Sequence, residues 1–329
     1  MKSLLFALAM ALALGWSADA QATTCSLGTS TSTVSFGTVN PLVSTDVYSD
    51  SNTVVVTCNF TALALGARLC FSAGVGTTSP STAARAMGAG SFRMNYNLYT
   101  DSGHSQVWSA ATATSPTSVL ITGPLLSTGN VSGSFSFYAK LPGGQTTVAV
   151  VNNADTLYSE TYSTTVKVDI AYGLLATLLV NCPIAAPMQT LFVPLTVQAT
   201  VQKNCTVNTT NMAFAPQGLL SQAVTANAQI TVLCTNNNAF SLALSGGTVA
   251  NNIAARKMKH STAADTVNYQ LYQDGSYATV WGDGVTGGTA LASTGTGANQ
   301  LFTVYGRVPA QATPRPGSYS DTVTVTLTF

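Results

Sequence analysis

Charged side chains are scarce in this sequence: 7% of residues are Asp, Glu, Lys or Arg, against 46% hydrophobic. Twelve basic and eleven acidic residues leave a net charge of +1, so the basic field that a nucleic-acid binder needs is missing. Histidine is almost absent, and His104 in "DSGHSQ" and His260 in "RKMKHS" sit in polar, turn-like surroundings that read as solvated side chains. There is no Cys-x-x-Cys pair, no G-x-S-x-G, no H-E-x-x-H and no Walker-type loop, and the acids are scattered singly. The glycine-rich run Gly282 to Gly297 lacks the following Lys and helix of a phosphate loop and reads as surface loop. Nothing here calls for catalysis, a metal or a cofactor. Helix-period segments are missing after the first twenty-odd residues, and the longest later apolar run, Ile170 to Val180, is too short to span a bilayer.

What is present begins with an address. Lys2, an apolar run from Leu4 to Leu14 and small residues around Ala18 to Ala22 have the layout of a secretory signal, residues 1–22. Cleavage is expected near Gln21 or Thr23, and export makes the six cysteines candidates for disulfides.

The remainder is one unit written twice. "NYNLYTD" (Asn95 to Asp101) and "NYQLYQD" (Asn268 to Asp274) are followed at the same interval by Trp108 and Trp281. Cys25 and Cys58 match Cys205 and Cys234; Arg85 and Met87 match Arg256 and Met258; "FYAKLP" (Phe137 to Pro142) matches "VYGRVP" (Val304 to Pro309). "YSTTVKVDIAY" (Tyr162 to Tyr172) matches "YSDTVTVTLTF" (Tyr319 to Phe329). Short runs rich in Val, Thr, Tyr and Phe, broken by Gly, Ser, Asn and Pro, predict an all-β chain of two immunoglobulin-like sandwiches in tandem. Because Trp281 repeats Trp108, both read as core anchors rather than as sugar platforms. Cys25 with Cys58 and Cys205 with Cys234 most simply staple the first strand of each copy to its second, each loop contributing roughly 3 to 4 kcal/mol. Cys70 and Cys182 have no counterparts in the other copy; whether they pair with each other stays open.

The early cysteine pair, the "YxLYxD" run with its following Trp and the terminal "YSDTVTVTL" strand resemble the spore coat protein U family, which includes subunits of archaic, Csu-type chaperone-usher pili. A two-domain member looks like the tip adhesin of such a pilus. The resemblance implies a periplasmic chaperone, an outer-membrane usher, an adjacent pilin subunit that donates a strand, and a role in attachment and biofilm formation at the cell surface.

Two features of the residues bear on that role. Between the copies, Leu191, Val193, Leu195, Val197, Ala199 and Val201 fall on one face of a strand that can close the first sandwich in cis. The expected division is therefore 23–189 for the adhesin domain, 190–202 for its linker and closing strand, and 203–329 for a strand-accepting pilin domain. The second copy shows no such segment after its last strand, whose Val323, Val325, Leu327 and Phe329 are expected to form one wall of an acceptor groove. Burying four or five side chains of a donated strand there would contribute on the order of 6 to 15 kcal/mol, an upper estimate. Cys25 follows the expected cleavage point too closely for a donor strand to precede it, which places such a subunit first in its fibre.

The copies also differ in three apolar stretches found only in the first. These are Phe60, Leu63 and Leu65 after Cys58; Leu120, Ile121, Pro124, Leu125 and Leu126 after Trp108; and Leu174, Leu175, Leu178 and Leu179 after Tyr172. In a sandwich these connections gather at one end, where exposed Leu and Ile would bind an apolar or host surface. The alternatives are a lectin-type sugar-binding tip and a structural spore-coat or envelope protein.

Overall fold

The computed structural model describes residues 23–60, 65–114, 116–123, 128–173 and 180–329. The signal segment lies outside these residues. Within them the chain forms strands and a single 3₁₀ turn, Ile253–Ala255, and no helix is long and apolar enough to cross a membrane.

The first unit contains β1 (Thr24–Leu27), β2 (Thr33–Val39), β3 (Val47–Phe60), β4 (Gly66–Ala73), β5 (Arg85–Ala89), β6 (Phe92–Tyr99), β7 (Ser118–Thr122), β8 (Gly129–Leu141), β9 (Thr156–Tyr162), β10 (Val166–Tyr172), β11 (Gln189–Phe192) and β12 (Leu195–Val201). One sheet runs β1-β3-β8-β6-β5-β9-β12-β2 and the facing sheet β11-β10-β4-β7. Alternation does the placing: in β12, Leu195, Val197, Ala199 and Val201 are buried while Thr196, Gln198 and Thr200 are half-buried on the other face. Together with Val193 they join a core built around Trp108, Phe71, Phe135 and Phe137.

The second unit contains β13 (Cys205–Thr209), β14 (Val224–Cys234), β15 (Ala239–Leu244), β16 (Lys257–His260), β17 (Thr266–Asn268), β18 (Gln270–Tyr272), β19 (Leu291–Thr294), β20 (Asn299–Val308), β21 (Tyr319–Ser320) and β22 (Val325–Thr328). Its sheets run β13-β14-β20-β18, β17-β16-β21 and β19-β15-β22. The order repeats that of the first unit, with β17 and β18 standing for β6. Three positions have no counterpart among the described residues: those of β2, β11 and β12.

Both units are built on one buried polar device. The Arg85 guanidinium donates to the carbonyls of Ala73, Gly74 and Trp108 and to Asn97 Oδ1; that of Arg256 donates to the carbonyls of Leu244, Ser245 and Trp281 and to Gln270 Oε1. Neither Arg is solvent-accessible, and neither has a carboxylate within ion-pair distance among the described residues. Carbonyl dipoles at strand ends take the place of a counter-charge. Trp108 and Trp281, both fully buried, each donate their indole N–H to a strand carbonyl, of Phe71 and Leu242.

Disulfides join Cys25 to Cys58, Cys205 to Cys234 and Cys70 to Cys182. The last ties β4 to the segment that precedes β11, and so anchors the start of the closing segment of the first unit.

The register corrects the match of the two terminal strands. Gly88 of β5 pairs with Ser159, and Lys259, three residues after Arg256 as Gly88 is after Arg85, pairs with Ser320. Val166 pairs with Ala73, and Val325 pairs with Leu244; both partners give a carbonyl to the buried Arg. Asp321 thus takes the place of Glu160 and Val325 that of Val166, rather than Val323. The slip is four residues in β21 and two in β22, and an even slip leaves every side chain on its face, so alternation alone cannot detect it.

The two histidines are not free in solvent. His260 is 8% exposed, accepts from the Thr262 and Ala263 amides through Nδ1 and so offers its Nε2 proton to the Pro316 carbonyl. His104 sits among Tyr48, Tyr99 and Tyr138 with Asp50 at 2.9 Å. Tyr277, with the same positive φ, stands at its place in the second unit beneath Arg307, which makes both structural plugs.

The closing role of β12 is open to test by denaturation. Val197→Asp sets an unpaired carboxylate beside buried Glu160 and is expected to destabilise the first unit by at least about 3 kcal/mol. Thr196→Asp on the opposite face should stay within about 1 kcal/mol of the parent.

Candidate functional site: an open seam and a loop pole

In the first unit β12 lies between β9, to which it is antiparallel, and β2, to which it is parallel. Beside it β11 extends the other sheet through β10, so the segment 189–201 stitches both sheets along one seam. In the second unit the corresponding seam is a groove. It has a volume of about 450 Å³ and is floored by Ile230, Leu271 and Val304 and walled by Met212, Phe214, Tyr269, Tyr319, Val323 and Val325. A further cavity of about 660 Å³ continues it between residues 212–220 and 313–319.

Burial reports the same opening. Val34 and Phe36 of β2 are 0% and 6% exposed, whereas Met212 and Phe214 are only half-buried and belong to no strand. Tyr319, Val323, Val325 and Leu327 are likewise half-buried against the second core. Among the described residues no strand pairs with the outer edge of β21 or β22. Two rows of backbone donors and acceptors are therefore left at an apolar groove, the arrangement that β-augmentation uses.

Of the four residues expected in the groove wall, Val323 and Val325 line it. Leu327 packs on the same core from β22, and Phe329 is 39% exposed with the Lys203 ammonium over its ring. The pattern of the last strand missed the rest of the lining, since Met212, Phe214 and Tyr269 come from distant parts of the chain.

A polar group sits within the groove. Asp321 accepts from the Thr248 and Val249 amides, the Thr248 hydroxyl and the Tyr269 hydroxyl. In the first unit Glu160 accepts from the Thr78 and Ser79 amides, the Ser79 hydroxyl and the hydroxyls of Tyr96 and Tyr162. Gly76 and Gly247 make room: a Cβ on either would run into the acid. Burial, reinforced by the neighbouring acid, holds the phenols of Tyr96 and Tyr269 well above the usual tyrosine range, so each stays a donor. Glu160 is 1% exposed beneath β12, while Asp321 is half-buried and lines the open groove.

The second candidate region is the far end of the first unit. The connections β3–β4, β7–β8 and β10–β11 leave from neighbouring strand ends: Gly66 pairs with Thr122, Ala67 with Tyr172 and Phe60 with Gly129. The Gly123 amide donates to the Leu65 carbonyl and the Gly173 amide to that of Gly66. Two of the expected surface residues are corrected. Phe60 is 0% exposed and Ile121 6%, because both fall on the inward phase of their strands. Leu120, on the outward phase, is 43% exposed, and Leu65 is half-buried. Leu63, Pro124, Leu125, Leu126, Leu174, Leu175, Leu178 and Leu179 lie outside the described residues.

The opposite end of the first unit holds the second. Ala149 forms a parallel bridge with Asn236, the Val150 amide donates to the Asn236 carbonyl, and Asn236 and Asn237 donate side-chain amides to the carbonyls of Thr147 and Val150. Asn153 accepts from the Ala239 amide. Thus the β14–β15 connection, which matches β3–β4 in the first unit, is spent on docking. Among the described residues no three His, Cys, Asp or Glu side chains are grouped to hold a metal.

The family description "Spore Coat Protein U domain" matches residues 12–168 and 191–326, one copy per unit. The chain belongs to this family. Protein U of Myxococcus xanthus is 37% identical over 84 residues, 26% of this chain and 45% of its own length, so the chain spans less than half of that relative. Among solved structures, the chaperone–tip adhesion subunit pre-assembly complex of the archaic Csu pili of Acinetobacter baumannii is similar at 16% identity. That match covers 93% of this chain and all of the other, with a TM-score of 0.48. The CupB6 tip adhesin of Pseudomonas aeruginosa is similar at 13% identity over 93% of each chain, with a TM-score of 0.38.

The contrast between the seams predicts different backbone protection in this family member. In hydrogen exchange, amides in 211–217 should exchange at least roughly tenfold faster than those of Thr33–Val39, which β12 holds in a sheet. Equal protection would mean that the groove is closed in solution.

Proposed function

We propose that this spore coat U protein is the tip adhesin of a chaperone-usher pilus, with 23–202 as the adhesive domain and 203–329 as the domain joined to the next subunit. The observation that carries the reading is the open seam of the second unit, at the place where the first unit holds its own β11 and β12. A groove of that shape suits a strand donated by an adjacent pilin, and before assembly a strand lent by a periplasmic chaperone. The usher and the exported route follow from the same reading.

The polarity of the two units supports the terminal position. The loop end of the second unit faces the first and is polar, with Asn236 and Asn237 in hydrogen bonds across the junction. The same end of the first unit points away from that junction, and its connections are rich in Leu. The family resemblance alone leaves a structural coat role open; the graded exposure of Leu120 against Ile121 at the loop bases favours an outward apolar surface. Attachment would then proceed by non-directional burial of Leu side chains on apolar surfaces, as in biofilm formation, rather than through a shaped sugar site. Trp108, the one aromatic considered for a sugar platform, is fully buried.

The test is attachment of piliated cells to an apolar plastic. Replacing Leu125 and Leu178 together by Ser should reduce attachment by roughly tenfold or more, given about 1.5 to 3 kcal/mol per buried Leu. Mild detergent should block the parent and free sugars should not. Unchanged attachment of the double variant, or inhibition by sugars alone, would remove the loop-adhesion reading.

A further inference from the structure

The first unit carries its own solution to the seam, and its geometry is more specific than an added strand. Residues 189–192 run antiparallel to β10, with Leu191 opposite Val168 and Gln189 opposite Ile170. The Val193 amide donates to the Val166 carbonyl, and the chain then leaves that sheet. After Pro194, which has no N–H to leave unpaired, Leu195 to Val201 run in the other sheet between β9 and β2. One continuous segment thus changes sheets part-way, and its passage turns residues 33–39 into a strand. At its start, the Gln189 side-chain amide accepts from the Cys25 N–H and donates to the Cys25 carbonyl, clasping the edge of β1.

Both strands to which that segment runs antiparallel, β10 and β9, have a counterpart in the second unit. By the corrected register Leu327 stands at the place of Val168, Val325 at that of Val166, Asp321 at that of Glu160 and Tyr319 at that of Tyr158. The outer edges of β22 and β21 are the two edges involved, and the groove runs between them. Met212 and Phe214, half-buried and outside any strand, flank it where β2 flanks β12.

Resting on the strand-acceptor reading above, we propose that the groove takes a single sheet-switching segment of another polypeptide with the pattern of residues 189–201. Its first part pairs with β22, a residue able to forgo its N–H marks the crossing, and its second part pairs with β21. The second part also lies parallel to residues 211–217 and draws them into the sheet as a new strand. The alternate apolar side chains of this segment cover Asp321 and Tyr269, as Val197 and its neighbours cover Glu160 and Tyr96. A donor that keeps to one sheet would leave one edge and the polar pair open.

The test uses the full chain extended past Phe329 by a flexible linker and a copy of residues 189–202, read by hydrogen exchange at two places. Slowing of exchange by at least roughly tenfold both in Val325–Thr328 and in 211–217 is the expected result. Extensions carrying only 189–193 or only 195–202 should protect the first or the second place alone. Protection of one place by the complete copy would overturn the sheet switch while leaving the strand-acceptor reading intact. Protection of neither place would overturn both.

Discussion

A two-sheet sandwich left open along one side exposes apolar faces and unpaired strand edges together, and the rest of this molecule is arranged around how that side is closed. In the first unit the closing segment supplies five buried side chains, Val193, Leu195, Val197, Ala199 and Val201, and completes ladders with β9, β10 and β2 at once. The Cys70–Cys182 bridge holds the start of that segment on β4. At its other end only a few residues separate Val201 from Cys205, and the Lys203 amide bonds Asp155. The closing strand is therefore also the connection that sets the second unit against the first.

Each sandwich also stands on buried charge. A guanidinium in a shell of carbonyls and amide oxygens is costly to desolvate, and its value lies in fixing the ends of three strands to one point. Desolvation lowers the Arg256 pKa from its usual value, yet its distance from neutrality leaves it charged. The same logic governs the acids: Glu160 and Asp321 accept from backbone amides of the loop after β4 and β15 and from a tyrosine of β6 or its counterpart. Arg and acid are thus two neighbouring clasps on the loop after β4 or β15, the Arg holding its start and the Trp carbonyl and the acid holding its amides beside the seam. The second clasp is complete only where β12 covers it.

Much of this was legible in the sequence because it depends on period and on repetition. The alternation in 190–201 marked an apolar face, which the fold divides between β11 and β12 in different sheets, and repeated Cys, Arg and Trp landmarks identified two sandwiches with matched cores. What period cannot carry was misread. The two-residue slip between Val166 and Val325 preserves every face, so only pairing partners reveal it. Phe60 and Ile121 sit at the mouths of apolar connections but on the inward phase of their strands, and strand phase outweighs nearness to a loop. His104 and His260 have polar neighbours in sequence, while their surroundings in space are aromatic rings and a proline carbonyl. The groove lining was visible only at Val323 and Val325, since Met212, Phe214 and Tyr269 gain meaning from a seam that local sequence does not show.

The repeat also makes the chemistry of the two poles a comparison within one chain. Equivalent connections after the second cysteine-bearing strand differ in composition, Asn-rich in the second unit and Leu-rich in the first. At the junction the Asn side chains are needed because the facing loop offers backbone carbonyls, of Thr147 and Val150, which Leu could not satisfy. A polar pole is thus the mark of one that docks on another unit. By the same reasoning, a Leu-rich pole cannot satisfy such carbonyls and is unsuited to docking on a unit of this type. What it can do is bury apolar area against a surface that asks for no hydrogen bonds, which is why the adhesive reading places contact at this pole and strand acceptance at the other unit's seam.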